Sequence, residues 1–321
     1  MDRLLITGVN GFIGQALTEE FHKDYEVWGA YESFESMESA VNPQIPSERR
    51  VLMNLRNMEM VDSAVAEVQP EFVIHLAARS EVADSFENYL EVADINYVGV
   101  VRLAESLRRH NPKLELFVQA STMETYGDCD PWQPANEDTP QLPKAPYAVA
   151  KVAAEKYLLY MHSAYSFPAT ILRQTNTYGR HDNDFFVVER ILTQMIAGGP
   201  VNLGTNYPYR NFLYIDDLVA LYRRVLTGDP EEPEHEWKYW DVTGEVFVTG
   251  PDNAVSIGAL YEMCAQVTGY TGPVNWDTIP KRPGEVYRLN SYAGKAKAVL
   301  GWEPKVSLLE GLKLTAEKWG L

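Results

Sequence analysis

Tyr147 and Lys151 stand four residues apart in the stretch Tyr-Ala-Val-Ala-Lys, a spacing that puts both side chains on one face of a helix. An ammonium beside a phenol favours the phenolate and draws a pKa normally about 10 toward values useful for moving a proton on an alcohol. Two helical residues alone carry little meaning; their neighbourhood supplies it. The apolar run Leu116 to Ala120 is followed by Ser121, Thr122, Met123 and Glu124, and ligands of an open parallel sheet bind beyond the carboxyl ends of its strands. Thr122 offers a hydroxyl and Glu124 a carboxylate at that edge, so Thr122, Glu124, Tyr147 and Lys151 form the candidate catalytic set.

A second constellation lies near the N-terminus, where Leu-Leu-Ile-Thr runs into Gly8-Val9-Asn10-Gly11-Phe12-Ile13-Gly14 and then an amphipathic stretch. Glycines at a strand-to-helix turn let the backbone approach a pyrophosphate, whose charge then meets free amides at the positive helix end. A dinucleotide is expected there. Glu32 follows the glycines by about 20 residues, the position from which a carboxylate accepts a hydrogen bond from a ribose 2′-hydroxyl. No Arg or Lys occurs between Lys23 and Arg49, which favours NAD over NADP.

Elements must hold these groups in place. Leu4 to Thr7, Val27 to Ala30, Val51 to Met53, Phe72 to Leu76 and Leu116 to Ala120 are apolar without strict alternation, as buried parallel strands are. Gly14 to Lys23, Met58 to Val68, Tyr97 to His110 and Tyr147 to Ser163 carry apolar residues at helical spacing. Strand and helix in alternation imply an α/β fold, a doubly wound parallel sheet of Rossmann type with a smaller mixed α/β C-terminal lobe. The expected division is a dinucleotide-binding domain over 1–174, with a return over about 212–242, and a substrate lobe from 175–211 and 243–321. The acidic stretch at 229–236 reads as a solvated loop.

Composition limits the partners. With 45 acidic and 28 basic residues the formal charge is −17, which repels nucleic acid and anionic membranes. No run approaches the roughly 18 apolar residues that a membrane span needs. Cys129 and Cys264 lie far apart, and the chain opens on a strand-like segment rather than a basic and then apolar leader, so a cytoplasmic location is expected. The six histidines show no metal-ligand spacing; no metal is expected, and His75 reads as a satisfied core residue.

The chain resembles an extended short-chain dehydrogenase/reductase of the nucleotide-sugar epimerase/dehydratase family. The resemblance spans nearly its whole length through TGVNGFIG at 7–14, HLAA at 75–78, STMETYG at 121–127, YAVAK at 147–151, NTYG at 176–179, RNFLYIDD at 210–217 and RPGE at 282–285. It implies an enzyme with a tightly held NAD and a nucleoside-diphosphate sugar as substrate. Carried over by position, Gly8, Gly11, Phe12, Ile13 and Gly14 line the cofactor pyrophosphate. Asn54 and Leu55 stand on the adenine side, where the family usually has an Asp. Ala77 and Ala78 pack near the phosphates and ribose, Lys151 holds the nicotinamide ribose beside Tyr147, and Asn176, Arg210 and Arg282 contact the substrate diphosphate. A homodimer through the helix of the Tyr-Lys pair and its neighbour is implied as well.

In the family, Tyr147 would take the proton of the sugar C4 hydroxyl as hydride leaves C4. A ketone at C4 acidifies C5, and a base there eliminates water from C6. Epimerases usually have small or hydroxylic residues where Glu124 stands, and dTDP-glucose dehydratases have an Asp where Met123 stands. The Thr-x-Glu pattern is more similar to GDP-mannose 4,6-dehydratases, in which one glutamate serves as base and then acid, although that group commonly uses NADP. The expected function is a nucleotide-sugar 4,6-dehydratase. A 4-epimerase, a 4-keto-sugar reductase, a UDP-glucuronate decarboxylase and a non-catalytic NAD-binding sensor are the alternatives.

Overall fold

The computed structural model describes residues 1–39, 42–181, 183–228 and 239–321; the acidic stretch at 229–236 lies outside them. The chain forms two compact units, one of 1–125, 145–173 and 222–247, the other of 126–144, 174–221 and 248–321. This differs from the expected division mainly at 126–144. That segment leaves the first unit directly after the Thr122 edge, and within the second unit Cys129 N donates to Arg288 O at 2.9 Å and Ala135 N to Asn290 O at 2.8 Å.

The first unit runs β1 (Arg3–Thr7), α1 (Phe12–Phe21), β2 (Glu26–Tyr31), α2 (Phe34–Ser39), β3 (Arg50–Leu52), α3 (Met58–Val68), β4 (Phe72–His75), α4 (Tyr89–Ala93), α5 (Gly99–His110), β5 (Leu116–Thr122), α6 (Pro146–Tyr165) and β6 (Ala169–Gln174). Further along lie β7 (Asn176–Tyr178), α7 (Val187–Ile196), β8 (Val201–Asn202), β9 (Tyr209–Arg210), β10 (Phe212–Tyr214), α8 (Ile215–Thr227) and β11 (Val246–Thr249). The main sheet has the order β11-β6-β5-β4-β1-β2-β3. Parallel pairing joins β1 to β2 and β4, β2 to β3, and β4 to β5, so the doubly wound sheet expected from the strand pattern is present. Sequence order reverses direction at β1, and the carboxyl ends of β1 and β4 flank the crevice this creates.

Burial explains why these strands lack alternation. Leu4, Leu5 and Ile6 are fully buried, and one core cluster joins Leu5, Val73, Phe117 and Ile171 of the sheet to Val61 and Val65 of α3, Leu103 and Leu107 of α5, and Leu158 and Met161 of α6. Both faces of the sheet are covered, so neither side of a strand needs to be polar.

A regular helix from Tyr97 is not what forms. A π-helical turn over Asp94–Val98 joins α4 to α5, a widening that commonly marks functional sites. Buried Asn96 of this turn accepts from Arg79 N at 2.8 Å and donates to Arg79 O at 2.9 Å. It thereby fixes the loop that leaves β4.

The second unit contains short pairs, β7 with β10 in parallel and β9 antiparallel to β12 (Val255–Ser256). Among the described residues no helix is long and apolar enough to cross a membrane, and no group of three or more His, Cys, Asp or Glu could hold a metal ion.

Candidate active site

After β1 the chain turns at Gly8 with a left-handed φ of +70°. A Cβ at Gly8 would lie 2.8 Å from Ala77 N, and one at Gly14 would lie 2.4 Å from Gly8 O; neither position admits a side chain without moving backbone. Gly11 N donates to Gly8 O at 3.0 Å and caps α1 with no side-chain hydrogen bond. The start of α1 thus has no side-chain cap at the end where an anion is favoured.

A cleft of about 240 Å³ opens here. It is lined by the expected Gly8, Gly11, Glu32, Asn54, Leu55, Ala77 and Ala78, and also by Asn10, Tyr31, Met53 and Arg79. Phe12, Ile13 and Gly14 are not among the lining residues; they form the first turn of α1. Asn10 donates to Ser36 O at 2.8 Å, while its buried Oδ1 has no partner among the described residues. Asn54 Oδ1 accepts from Arg56 N at 2.9 Å, so this side chain shapes its own turn. An uncapped helix start, a turn without room for side chains and an unpartnered buried acceptor are features that a dinucleotide's phosphates and ribose would satisfy. The residues present fit that group.

Arg56 is a residue the sequence reading missed. Its guanidinium lies 3.4 Å from Glu32 and 3.5 Å from Glu91. The search for basic residues ended at Arg49, and only the fold carries the turn after β3 back beside the end of β2.

At the end of β5 the structure brings the candidate catalytic set together within the first unit. Tyr147 is buried and hydrogen-bonds through its side chain to Thr122. Buried Lys151 donates to Ala120 O at 2.8 Å, and its Nζ lies 5.9 Å from the centre of the Tyr147 ring. Glu124 is half-buried, and its N donates to Thr122 Oγ1 at 3.2 Å. Its carboxylate makes no hydrogen bond or ion pair with the described residues, and its charge acts on the Tyr147 phenol. Met123 is 1% exposed, so the side chain between Thr122 and Glu124 is part of the core.

The expected depression of the phenol is not found. Burial first, and then the charge of Glu124, push Tyr147 above its ordinary value, and only the Thr122 hydrogen bond opposes them. The Lys151 ammonium is directed to a backbone carbonyl, and its own pKa falls from 10.5 to about 8 through burial, partly offset by Glu155. The ordering expected from charge alone is overridden by desolvation.

His75 is fully buried, and its Nδ1 pairs with Thr7 Oγ1 at 2.7 Å. The same hydroxyl accepts from Ala77 N at 3.2 Å. Among the described residues its Nε2 has no partner, so within them the histidine is only half satisfied. Burial, followed by the charge of Lys151, lowers its pKa to about 3, which leaves the ring neutral.

In the second unit, Arg210 is 6% exposed and its guanidinium donates to Tyr209 O at 2.9 Å and Val286 O at 2.8 Å. Arg282 pairs with Glu285 at 2.9 Å, and both arginines help hold the Glu285 carboxyl below its usual range against burial. Asn176 is half-buried on β7.

Residues 5–315 match the model of the GDP-mannose 4,6 dehydratase family, and the chain belongs to that family. A GDP-mannose 4,6 dehydratase of Arabidopsis thaliana is 30% identical, over 98% of this chain and 86% of that protein. A UDP-glucose 4-epimerase of Mycolicibacterium smegmatis is also 30% identical, over 98% of this chain and 97% of that protein. Among solved structures, the UDP-glucose 4-epimerase of Thermus thermophilus in complex with NAD has a TM-score of 0.84 at 26% identity, covering 99% of this chain and 98% of that one. A dehydratase and an epimerase are thus each 30% identical to this chain.

Proposed function

We propose that the protein is an NAD-dependent nucleotide-sugar 4,6-dehydratase. The observation that carries this reading is the unpaired carboxylate of Glu124, half-buried at the strand end that also holds Thr122 and Tyr147. An epimerase needs no base at C5, whereas elimination of water across C5 and C6 does.

The glycine turn, the start of α1, Glu32, Ala77 and Ala78 hold NAD, with Lys151 on the nicotinamide ribose. When bound, the cationic nicotinamide supplies an acceptor for the C4 hydride, its return to C6, and positive charge in the site. Tyr147 Oη, hydrogen-bonded to Thr122, takes the proton of the C4 hydroxyl. To accept that proton the phenol must first release its own to solvent, against the burial and the Glu124 charge that favour its neutral form; the positive charges of Lys151 and of bound nicotinamide would favour that ionisation. Glu124 removes the C5 proton once C4 is a ketone and hands it to the departing C6 hydroxyl, which leaves as water; as hydride returns to C6, C5 takes a proton originating from solvent. Met123, packed in the core, supplies no second acid, so the one carboxylate performs both transfers. Arg210, Arg282 and Asn176 bind the diphosphate, for which the forked arginine is suited.

The enzyme acts as a homodimer. Val149, Tyr160 and Tyr165 on α6, with Tyr89 and Leu90 on α4, are exposed apolar side chains that such an interface would cover.

The test incubates the purified chain and NAD with GDP-mannose, UDP-glucose, dTDP-glucose and UDP-N-acetylglucosamine, and weighs the products. One substrate is expected to lose a water. A product of unchanged mass and altered retention would make the protein an epimerase, the second reading, which the 30% identical epimerase supports.

A further inference from the structure

Three consecutive residues at the end of β5 engage three successive turns of α6. Ala120 O accepts from Lys151 Nζ at 2.8 Å, the Ser121 hydroxyl donates to Glu155, and the side chain of Thr122 hydrogen-bonds to Tyr147. Tyr147, Lys151 and Glu155 are spaced by four, so they share one stripe of the helix. That stripe faces inward: Lys151 is 4% and Glu155 0% exposed. From β6, Arg173 closes on the same carboxylate, with Nε donating to Oε2 at 3.0 Å and Nη2 to Oε2 at 2.8 Å.

A fully buried carboxylate with no catalytic contact is expensive to keep, and replacing such a pair by apolar side chains is often harmless to stability. What the pair does here follows from its neighbours. Arg173 and Ser121 fix the orientation of the carboxylate one helical turn beyond Lys151. We propose that Glu155 is a positioning residue, acting through Lys151 by keeping that buried ammonium charged and anchored beneath the Tyr147 phenol. The inference rests on the catalytic role proposed above for Tyr147 and Lys151.

Charge arithmetic supports it. Lys151, Glu155 and Arg173 together leave one positive charge in a dry interior, which a Tyr147 phenolate would cancel. Were Lys151 to lose its proton, that balance would vanish. Burial already brings Lys151 down to about 8, and Glu155 is the charge that holds it up. The other titratable groups here are neutral His75 on β4, which feels the Lys151 charge, and Tyr147 on α6, against which Tyr97 of the π turn packs and on which the charge of Glu124 beyond β5 acts.

The test is a carbon-13 NMR titration of the lysine Cε signals in the full chain with NAD, with the Lys151 signal identified by its loss in Lys151→Met. The wild type should half-titrate near pH 8, the value to which burial brings Lys151. In Glu155→Gln the midpoint should fall by about one pH unit or more, because an anion is lost and the Arg173 cation is left unopposed. Glu155→Asp should restore most of it. The alkaline limb of sugar-dependent NAD reduction should move by the same amount, a change that loss of packing alone does not produce. Should Glu155→Gln not fold, Glu155→Gln with Arg173→Gln removes both buried charges together and should still lower the midpoint. An unchanged Lys151 midpoint in whichever variant folds would overturn the inference. The titration needs no turnover, so failure of the wild type to reduce NAD with any nucleotide sugar would instead refute the catalytic reading on which it rests.

Discussion

The nucleotide cleft and the cluster beneath Tyr147 sit on the same sheet yet are built from different materials. The cleft is made of backbone: a left-handed Gly8, a Gly14 pressed against Gly8 O, and helix amides without a cap. The cluster is made of buried side chains, Lys151, Glu155 and Arg173, whose charges leave one net positive. Backbone recognition tolerates no added atoms but is indifferent to pH. A buried charge cluster accepts modest changes of shape but responds to every proton. The teaching is that binding and chemistry in this unit should fail in separable ways.

The largest separation is expected at Tyr147. Tyr147→Phe removes the proton acceptor and should lower sugar-dependent NAD reduction by about a thousandfold or more, with NAD affinity measured by calorimetry unchanged. Equal loss of both would merge the two regions. Gly14→Ala should do the reverse. Its Cβ would lie 2.4 Å from Gly8 O, so NAD affinity should fall by about a hundredfold, while the midpoint of the Lys151 titration stays in place.

A smaller effect tests selectivity within the cleft. Glu32→Gln removes the carboxylate that lies 3.4 Å from the Arg56 guanidinium and leaves Glu91, at 3.5 Å, as its acidic neighbour. The ratio of NADP to NAD affinity should rise by about tenfold, read by competition binding; no change would make the Glu32–Arg56 contact a surface pair of little consequence.

The smallest effect concerns stability. Lys151 carries a pKa of about 8 in the folded chain against 10.5 ordinarily, so burying its charged form disfavours folding at neutral pH. From about pH 8 to 10.5 the unfolded chain holds a proton that the folded chain does not, and this penalty is relieved as pH rises. Lys151→Met should therefore raise stability at pH 7 by about 1–2 kcal/mol, after allowance for the lost hydrogen bond to Ala120 O, and the gain should shrink toward pH 10. A loss of stability at pH 7 in denaturant titration would show that the ammonium contributes to the fold as well as to the chemistry.

The same contrast explains what the amino-acid sequence made legible. Gly8, Gly11 and Gly14 are close in the chain, and strand, turn and helix impose their spacing locally, so the cleft was readable. Tyr147 and Lys151 were readable for the same reason, being one helical turn apart. Glu155 lies one turn further along and reads as an ordinary helix charge; only the pairing of β6 beside β5 delivers Arg173 to it. Arg56 and Asn96 escaped notice because their meaning depends on contacts with Glu32 and Arg79 far away in the chain. The direction of the Tyr147 shift was misread because spacing reveals the neighbouring charge and not the depth of burial, and burial is the larger effect here. The allocation of 126–144 to the second unit rests on backbone hydrogen bonds to Arg288 and Asn290, which no local pattern announces.

The central claim is that Glu124 is a base at C5 acting after oxidation at C4. The most direct measurement runs the reaction in deuterium oxide and examines the product by NMR and mass spectrometry, for the wild type and for Glu124→Gln. The wild type should yield a dehydrated sugar nucleotide carrying solvent deuterium at C5, and Glu124→Gln should reduce NAD yet leave C5 unexchanged. A wild-type product that keeps its C5 hydrogen, or a variant that exchanges it as fast as the wild type, would contradict the claim.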